Sequence, residues 1–249
     1  MIIYFSATGN SQYVAERIAE ATEDTAVSIE NKEYAITLNQ DEYLGIVTPV
    51  YFGGLPQPMR DFLERLQLSS NVGYCFVVLT YGYTSGFSAA EVKKLTSKKN
   101  LKLSASFGIQ MPDTWTPVFD VSDPVLVSKT NEAADETIER IIDSIKNREK
   151  GVHAAGRYPY LFRYVAKPLY DKARSTEKFY VEASCIGCGL CANNCPVQAI
   201  EIIDQKPVWT IDKCALCLRC LHHCPKFAIQ YGNGKTKKHG QYRHPNVKT

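Results

Sequence analysis

The chain has 249 residues, of which 45% are hydrophobic and 22% charged, and its formal net charge is +3. That length accommodates one medium domain and one small one, and no apolar run approaches the roughly 20 residues of a membrane span. The start, Met1-Ile2-Ile3-Tyr4-Phe5, has no basic flank and reads as a buried strand rather than a signal peptide. The charge is unevenly spread. Residues 1–145 carry 11 Lys+Arg against 19 Asp+Glu, whereas residues 146–178 carry 9 against 3. A basic stretch beside an acidic domain is more simply a self-complementary pair, or a dock for an acidic redox partner, than a nucleic-acid surface. There is no helix-turn-helix pattern, and no nucleic acid is expected as a partner.

In chain order, Ile2 to Phe5 is followed by Ser6-Ala7-Thr8-Gly9-Asn10-Ser11, and then by Tyr13, Val14, Ala15, Ile18 and Ala19 at helical spacing. A hydroxyl- and Gly-rich loop between a strand and a helix start is an anion cradle, because backbone N–H groups and the helix dipole point at it. The loop has no lysine and is not a Walker loop, nor is it G-x-G-x-x-G. Read alone, an ordinary Ser/Gly cap turn stays open.

A weak second strand falls near Ala26–Ile29. A third, Tyr43–Val47, runs into Thr48-Pro49-Val50-Tyr51-Phe52-Gly53-Gly54-Leu55-Pro56. A fourth, Val72–Leu79, runs into Thr80-Tyr81-Gly82-Tyr83-Thr84-Ser85-Gly86. Cys75 in that strand reads as a small buried hydrophobe. Both loops leave C-terminal strand ends, where open parallel sheets bind ligands. Their aromatics suit a flat ring, and their glycines permit close approach of backbone amides. Met59–Leu66 and Ala89–Leu95 read as helices, Leu101–Met111 as a fifth strand, and Glu132–Ile145 as a final helix with Ile138, Ile141, Ile142 and Ile145 on its apolar side. Pro112 to Asp123 reads as a loop leaving strand five.

This first part resembles the flavodoxins, whose FMN-phosphate loop reads S/T-x-T-G-N-T, here with Ser11 in place of the last Thr. The resemblance implies an α/β fold with a doubly wound, five-stranded parallel sheet in the order 2-1-3-4-5. It also implies FMN held by Ser6, Ala7, Thr8, Gly9, Asn10 and Ser11, by Pro49, Val50, Tyr51, Phe52, Gly53 and Gly54, and by Thr80, Tyr81, Gly82 and Tyr83. Tyr51 and either Tyr81 or Tyr83 are the stacking candidates. The loops at 48–56 and 80–86 contain no Asp or Glu, which implies little like-charge repulsion of a reduced flavin unless Asp113, Asp120 or Asp123 reaches it.

Residues 150–178 are basic and Tyr-rich, are broken by Pro159 and Pro168, and read as a partly helical bridge packed on the first domain. Then come Cys185, Cys188, Cys191 and Cys195 before Pro196, and Cys214, Cys217, Cys220 and Cys224 before Pro225. Both runs are C-x2-C-x2-C-x3-C-P, the run of bacterial two-cluster ferredoxins, in which the fourth cysteine ligates the other cluster. Zinc would favour paired C-x2-C motifs with a longer spacer, and disulfide frameworks belong to short secreted chains. The expected sets are therefore Cys185, Cys188, Cys191 and Cys224 for cluster 1, and Cys195, Cys214, Cys217 and Cys220 for cluster 2. From Phe179 onward the chain resembles these ferredoxins, with Phe179–Val181 expected to pair with Ala228–Tyr231. The segment Ala199–Ile202 repeats Ala228–Tyr231 after its own Cys-Pro. His222 and His223 lie close enough in sequence for either to bond cluster sulfur, while a solvated loop position suits at least one of them better.

The whole chain resembles flavodoxin–ferredoxin fusions of anaerobic bacteria, and the C-terminal part adds an α+β two-cluster ferredoxin domain. The expected divisions are 1–148 for the FMN domain, 149–178 for the basic linker, 179–234 for the ferredoxin domain and 235–249 for a basic tail. The resemblance implies an electron-transfer protein with FMN and two [4Fe-4S] clusters, a cytoplasmic location, redox protein partners of ferredoxin or flavodoxin type, and no catalytic acid or base. A homodimer is compatible with it. The alternative is a flavin-dependent reductase of a quinone, oxygen or similar small acceptor, fed by its own clusters.

Overall fold

The computed structural model describes residues 1–31, 35–36, 42–68, 72–154 and 160–247. The expected helix breaker Pro159 and the last two tail residues lie outside these. The elements run β1 (Ile2–Tyr4), α1 (Asn10–Ala21), β2 (Ala26–Ser28), β3 (Ala35–Ile36), β4 (Tyr43–Pro49), α2 (Gln57–Arg65), β5 (Gln67–Leu68), β6 (Tyr74–Tyr81), α3 (Ser88–Ser97), β7 (Leu103–Gln110), α4 (Pro124–Lys146) and β8 (Gly151–Val152). They continue as α5 (Arg163–Ala173), β9 (Phe179–Val181), α6 (Leu190–Asn193), β10 (Ile200–Ile203), β11 (Lys206–Trp209), α7 (Arg219–His222), β12 (Ile229–Tyr231) and α8 (Lys235–His239).

The main sheet is parallel throughout, in the order β2-β1-β4-β6-β7-β8. Its central strands are apolar on both faces because helices cover both. Phe76 and Val78 of β6 pack with α1 and α4, while Cys75, Val77 and Leu79 pack with α2 and α3. Burial pushes the Cys75 thiol up to about 12, which leaves it the inert small hydrophobe expected. Helix α4 brings Ile138, Ile141, Ile142 and Ile145 to the core.

Two elements differ from the sequence reading. The sheet has six strands instead of five, because Gly151–Val152 pairs with Ala105–Ser106 at the free edge of β7. Residues 151–152 thus extend the sheet. Helix α4 also starts eight residues earlier than expected. Asp123 accepts hydrogen bonds from the N–H groups of Val125 (2.9 Å) and Leu126 (3.2 Å), and Pro124 occupies the first turn, where its missing N–H costs nothing.

The C-terminal part pairs β9 with β12, with Val181 opposite Ile229, and β10 with β11, both antiparallel. Its core of Phe179, Ile200, Leu216, Leu221, Ile229 and Tyr231 also receives Tyr51 and Trp115 from the first domain. The two cores therefore meet in one continuous apolar contact.

Candidate functional site

A cavity of about 240 Å3 opens at the C-terminal ends of β1, β4, β6 and β7. Three of its walls are the expected loops: Ser6, Ala7, Thr8, Asn10 and Ser11; Pro49, Val50, Tyr51 and Phe52; Thr80, Tyr81 and Gly82. Of the expected flavin residues, Gly9, Gly53, Gly54 and Tyr83 do not line it. Gly53 turns away, and its carbonyl accepts from Phe87 N–H at 2.7 Å. Tyr83 is exposed and stands outside the lining, whereas Tyr51 and Tyr81 both line the cavity.

The phosphate end is built from short polar bonds. Ser11 and Thr80 hydroxyls lie 2.8 Å apart, and Gly9 N–H donates to Ser6 Oγ at 3.2 Å. Helix α1 begins with no side-chain cap, so its first N–H groups face the loop. Uncapped, buried helix starts favour an anion. The donor set and the aromatic walls therefore suit a phosphate joined to a flat ring.

Of the remaining walls, sequence marks the first only as a loop whose acids could reach the flavin, and does not mark the second. One is Pro112, Asp113, Thr114, Trp115 and Phe119 from the loop after β7. The other is Leu216, Cys217 and Leu218, from inside the second cysteine run. Of the three acidic residues in question, only Asp113 reaches the cavity. It lies flat on Gly82, where an added Cβ would come within 2.2 Å of its side chain, and it accepts from Trp115 N–H at 3.0 Å. Desolvation by burial raises its pKa, and the Trp115 bond only partly opposes this. A carboxyl whose folded pKa is raised disfavours the folded state as pH rises through that pKa. Asp113→Asn should therefore raise the melting temperature at neutral pH, with the gain vanishing as pH falls below about 4. Thermal melts across pH check this; a gain that persists in acid would show another cause.

The cysteines form two separate hollows. One is lined by Cys185, Cys188, Cys191 and Cys224, the other by Cys195, Cys214, Cys217 and Cys220. The fourth cysteine of each run lies with the first three of the other run. Backbone N–H groups of Ala199, Leu216 and Ala228 donate to the sulfurs of Cys195 (3.2 Å), Cys214 (3.2 Å) and Cys224 (3.3 Å). Burial, the largest influence on it, pushes the Cys217 thiol up to about 12. Thiolates there need strongly cationic iron to offset that cost. Donor type, number and grouping thus fit two [4Fe-4S] clusters.

The two histidines behave differently from the sequence reading. His222 is buried, its Nε2 lies 2.9 Å from the Thr114 carbonyl, and its Nδ1 accepts from Tyr242 N–H at 3.1 Å. His223 Nε2 lies 3.1 Å from the Ala7 carbonyl. Both bind backbone beside the cavity, and neither bonds a cysteine sulfur. Desolvation lowers the pKa of each to about 4, so both imidazoles are neutral.

Arg219, between Cys217 and Cys220, ties the cysteine run to the first domain. Its guanidinium grips Glu30 with two bonds of 2.6 Å and donates to the carbonyls of Asn194 (3.0 Å) and Ser6 (2.5 Å). The side chains are only 12% and 23% exposed, which places the pair between a screened surface bridge and a buried one. Arg219→Gln should cost about 1–3 kcal/mol in denaturant unfolding of the intact protein. A loss under about 0.5 kcal/mol would mean solvent screens the pair.

The C-terminal tail folds back as a strap. Gln241 Nε2 donates to the carbonyls of Leu221 (2.7 Å) and Cys224 (2.9 Å). Tyr242 Oη donates to Asn10 Oδ1 at 2.8 Å, and His244 N–H to the Thr8 carbonyl at 2.8 Å. His244 stacks on Tyr13 with ring centroids 4.0 Å apart. At Gly9, where φ is +98°, an added Cβ would lie 2.8 Å from the His244 Cβ, so only glycine permits this approach.

Comparison with known proteins matches residues 1–138 to a flavodoxin domain family and residues 184–228 to a 4Fe-4S dicluster domain family. An uncharacterized polyferredoxin-like protein of Methanocaldococcus jannaschii is 33% identical over 97 residues, covering 34% of this chain and 56% of that protein. A component of an ion-translocating oxidoreductase complex of Methanosarcina acetivorans is 34% identical over 61 residues, covering 24% of this chain and 23% of that protein. The chain thus spans little more than half of one of these relatives and about a quarter of the other. Among solved structures, a flavodoxin from the domain Archaea aligns with a TM-score of 0.37 and 14% identity, over 56% of this chain and 96% of that one. The flavodoxin match covers more than half of the sequence. The chain therefore belongs to the flavodoxin domain family and, with its dicluster domain behind, is a flavodoxin–ferredoxin fusion whose cofactors are FMN and two [4Fe-4S] clusters.

Proposed function

We propose that the protein passes electrons between FMN and its own two clusters, with cluster 2 as the neighbour of the flavin. FMN exchanges one or two electrons and each cluster one, so together they couple one- and two-electron steps. In this reading Cys195, Cys214, Cys217 and Cys220 hold cluster 2, and Cys185, Cys188, Cys191 and Cys224 hold cluster 1. The loops at 6–11, 49–52 and 80–82 hold FMN, with Tyr51 and Tyr81 flanking the ring. The chain divides into an FMN domain, a basic connecting segment, a ferredoxin domain from 179 and a tail.

One observation carries the reading: Cys217 and its neighbours Leu216 and Leu218 are walls of the same cavity as Tyr51, Thr8 and Thr80. A cluster 2 ligand therefore touches the space meant for the flavin, and nothing has to move for the two to meet. The other set lies outward. Cys188 is exposed, and so are Ile186 and Leu190 beside it. That placement supports cluster 1 as the contact for an external redox protein. Among the described residues no helix is long and apolar enough to cross a membrane.

The residues assigned here bind, orient and exclude water; the cavity wall offers Asp113 as its carboxyl but no paired acid and base. The test is anaerobic reduction by a ferredoxin-type protein, followed by stopped-flow optics and EPR. Cluster signals should appear before the flavin bleaches, and no small acceptor should turn over rapidly. Flavin bleaching ahead of both clusters would overturn the order, and fast turnover of a quinone or oxygen would favour a reductase.

A further inference from the structure

Helix α5 shows its apolar side to the outside. Ala166 and Tyr170 point inward, and Tyr170 packs near Tyr51 and Phe52 while its hydroxyl donates to the Ala215 carbonyl at 2.9 Å. Leu161, Val165 and Leu169, four residues apart, stand 71%, 56% and 51% exposed, and Tyr164 between them is 62% exposed. Val165 and Leu169 share one stripe of α5, and Leu161 stands in the short turn just before it. A globular protein seldom leaves such a row on a convex helix uncovered.

Basic groups flank the row. Lys94 and Lys98 of the α3 end, with Arg163 and Lys167 of α5, line a groove of about 560 Å3 between the two helices. Lys172 is exposed one turn beyond Leu169. The acids nearby are largely neutralised from within: Glu91 is paired with Arg60 (3.1 Å) and Lys167 (2.7 Å), and Asp171 with Lys213 (2.5 Å). Glu64 is the remaining carboxylate on the groove.

We propose that the α3–α5 face docks the protein on an anionic phospholipid surface. Protruding aliphatic side chains with an aromatic among them suit the acyl boundary, and lysines at the sides of the helix meet the headgroup phosphates. The aliphatic row of Leu161, Val165 and Leu169 stands exposed outside the lining of that groove, which suits insertion at a lipid surface better than capture of a protein segment in a hollow. A second copy seated on this face would set one basic groove, lined by Lys94 and Lys98, against the same positively charged surface, and like charges oppose that. Lipid docking is independent of the electron path proposed above.

The test is co-sedimentation of the full holoprotein with mixed phosphatidylcholine–phosphatidylglycerol vesicles and with phosphatidylcholine alone. Binding to the anionic vesicles should be at least about tenfold tighter and should weaken with added salt. The double variants Val165→Glu with Leu169→Glu, and Lys94→Glu with Lys98→Glu, should each lose about tenfold or more. All four positions are exposed, and retained flavin absorbance and iron content confirm that the variants are folded. Absence of binding to anionic vesicles at low salt would overturn the proposal, as would apolar-face variants that sediment like wild type. A wild-type dimer in sedimentation velocity that Val165→Glu with Leu169→Glu dissociates would also overturn it, because a second copy would then cover the face.

Discussion

Replacing Cys217 by serine is expected to remove cluster 2, lower the iron content by about half, and slow cluster-fed reduction of the flavin by more than an order of magnitude. Cys217 stands in the second cysteine hollow and also on the wall of the flavin cavity. A hydroxyl there supplies no thiolate to bind iron at a site where burial already raises the cost of an anion. Cluster 1 keeps its four cysteines, so its EPR signal should survive. FMN should remain bound, because its phosphate loop is untouched. Iron and sulfide analysis, EPR and stopped-flow reduction by a protein donor measure these separately. If the flavin of the variant is reduced as fast as that of the wild type, electrons reach it without cluster 2, and the proposed order fails. Cys188→Ser is the companion measurement, and its loss should fall on the outer cluster.

Ending the chain after Gly240 is expected to weaken FMN binding by about tenfold to a hundredfold, or about 1.4–2.8 kcal/mol. The strap removed contributes Tyr242 to Asn10, His244 N–H to Thr8, and Gln241 to Cys224. Each net bond contributes about 1 kcal/mol, and Tyr242 and His244 are almost wholly buried, at 5% and 3% exposure. Only the part of that energy that orders the phosphate loop reaches the ligand, which is why the expected change is smaller than the sum. Fluorescence titration of the flavin-free protein with FMN gives the dissociation constant directly. An unchanged constant would mean that the loop at 6–11 is rigid without the strap. The same geometry links the two cofactor sites, because Gln241 grips the Cys224 carbonyl while Tyr242 grips Asn10. The truncated protein should therefore also lose iron faster to a chelator.

The tail shows why part of the site could not be read from the chain. Its composition, Lys235 to Thr249 with five basic residues and no acid, suits a free basic end as well as a docked one. What settles the matter is a set of contacts over more than two hundred residues of separation, Tyr242 to Asn10 and His244 to Thr8. Asp113 is a similar case. The loop after β7 carries no motif, and the approach of Asp113 to Gly82 depends on the path of that loop across the strand ends. By contrast, the Cys-x2-Cys-x2-Cys-x3-Cys-Pro runs and the Ser6–Ser11 loop are local. The ligand spacing makes the cysteine runs legible alone, whereas the Ser6–Ser11 loop leaves an ordinary cap turn open until the loops after Val47 and Leu79 are read with it.

Local patterning along the chain is enough to specify the parallel doubly wound sheet, the two cysteine runs and the three loops of the flavin cavity, because periodicity and ligand spacing are short-range properties. It leaves open which cysteine run borders the cavity, and long-range packing decides that. Tyr51 and Trp115 pack into the core of the ferredoxin domain, Arg219 binds Glu30 and Ser6, and Cys217 becomes a wall of the cavity. The two cysteine runs are near copies, so no local pattern distinguishes them. Only the packing of one domain against the other breaks their symmetry, turning one run inward to the cavity and leaving the other facing out.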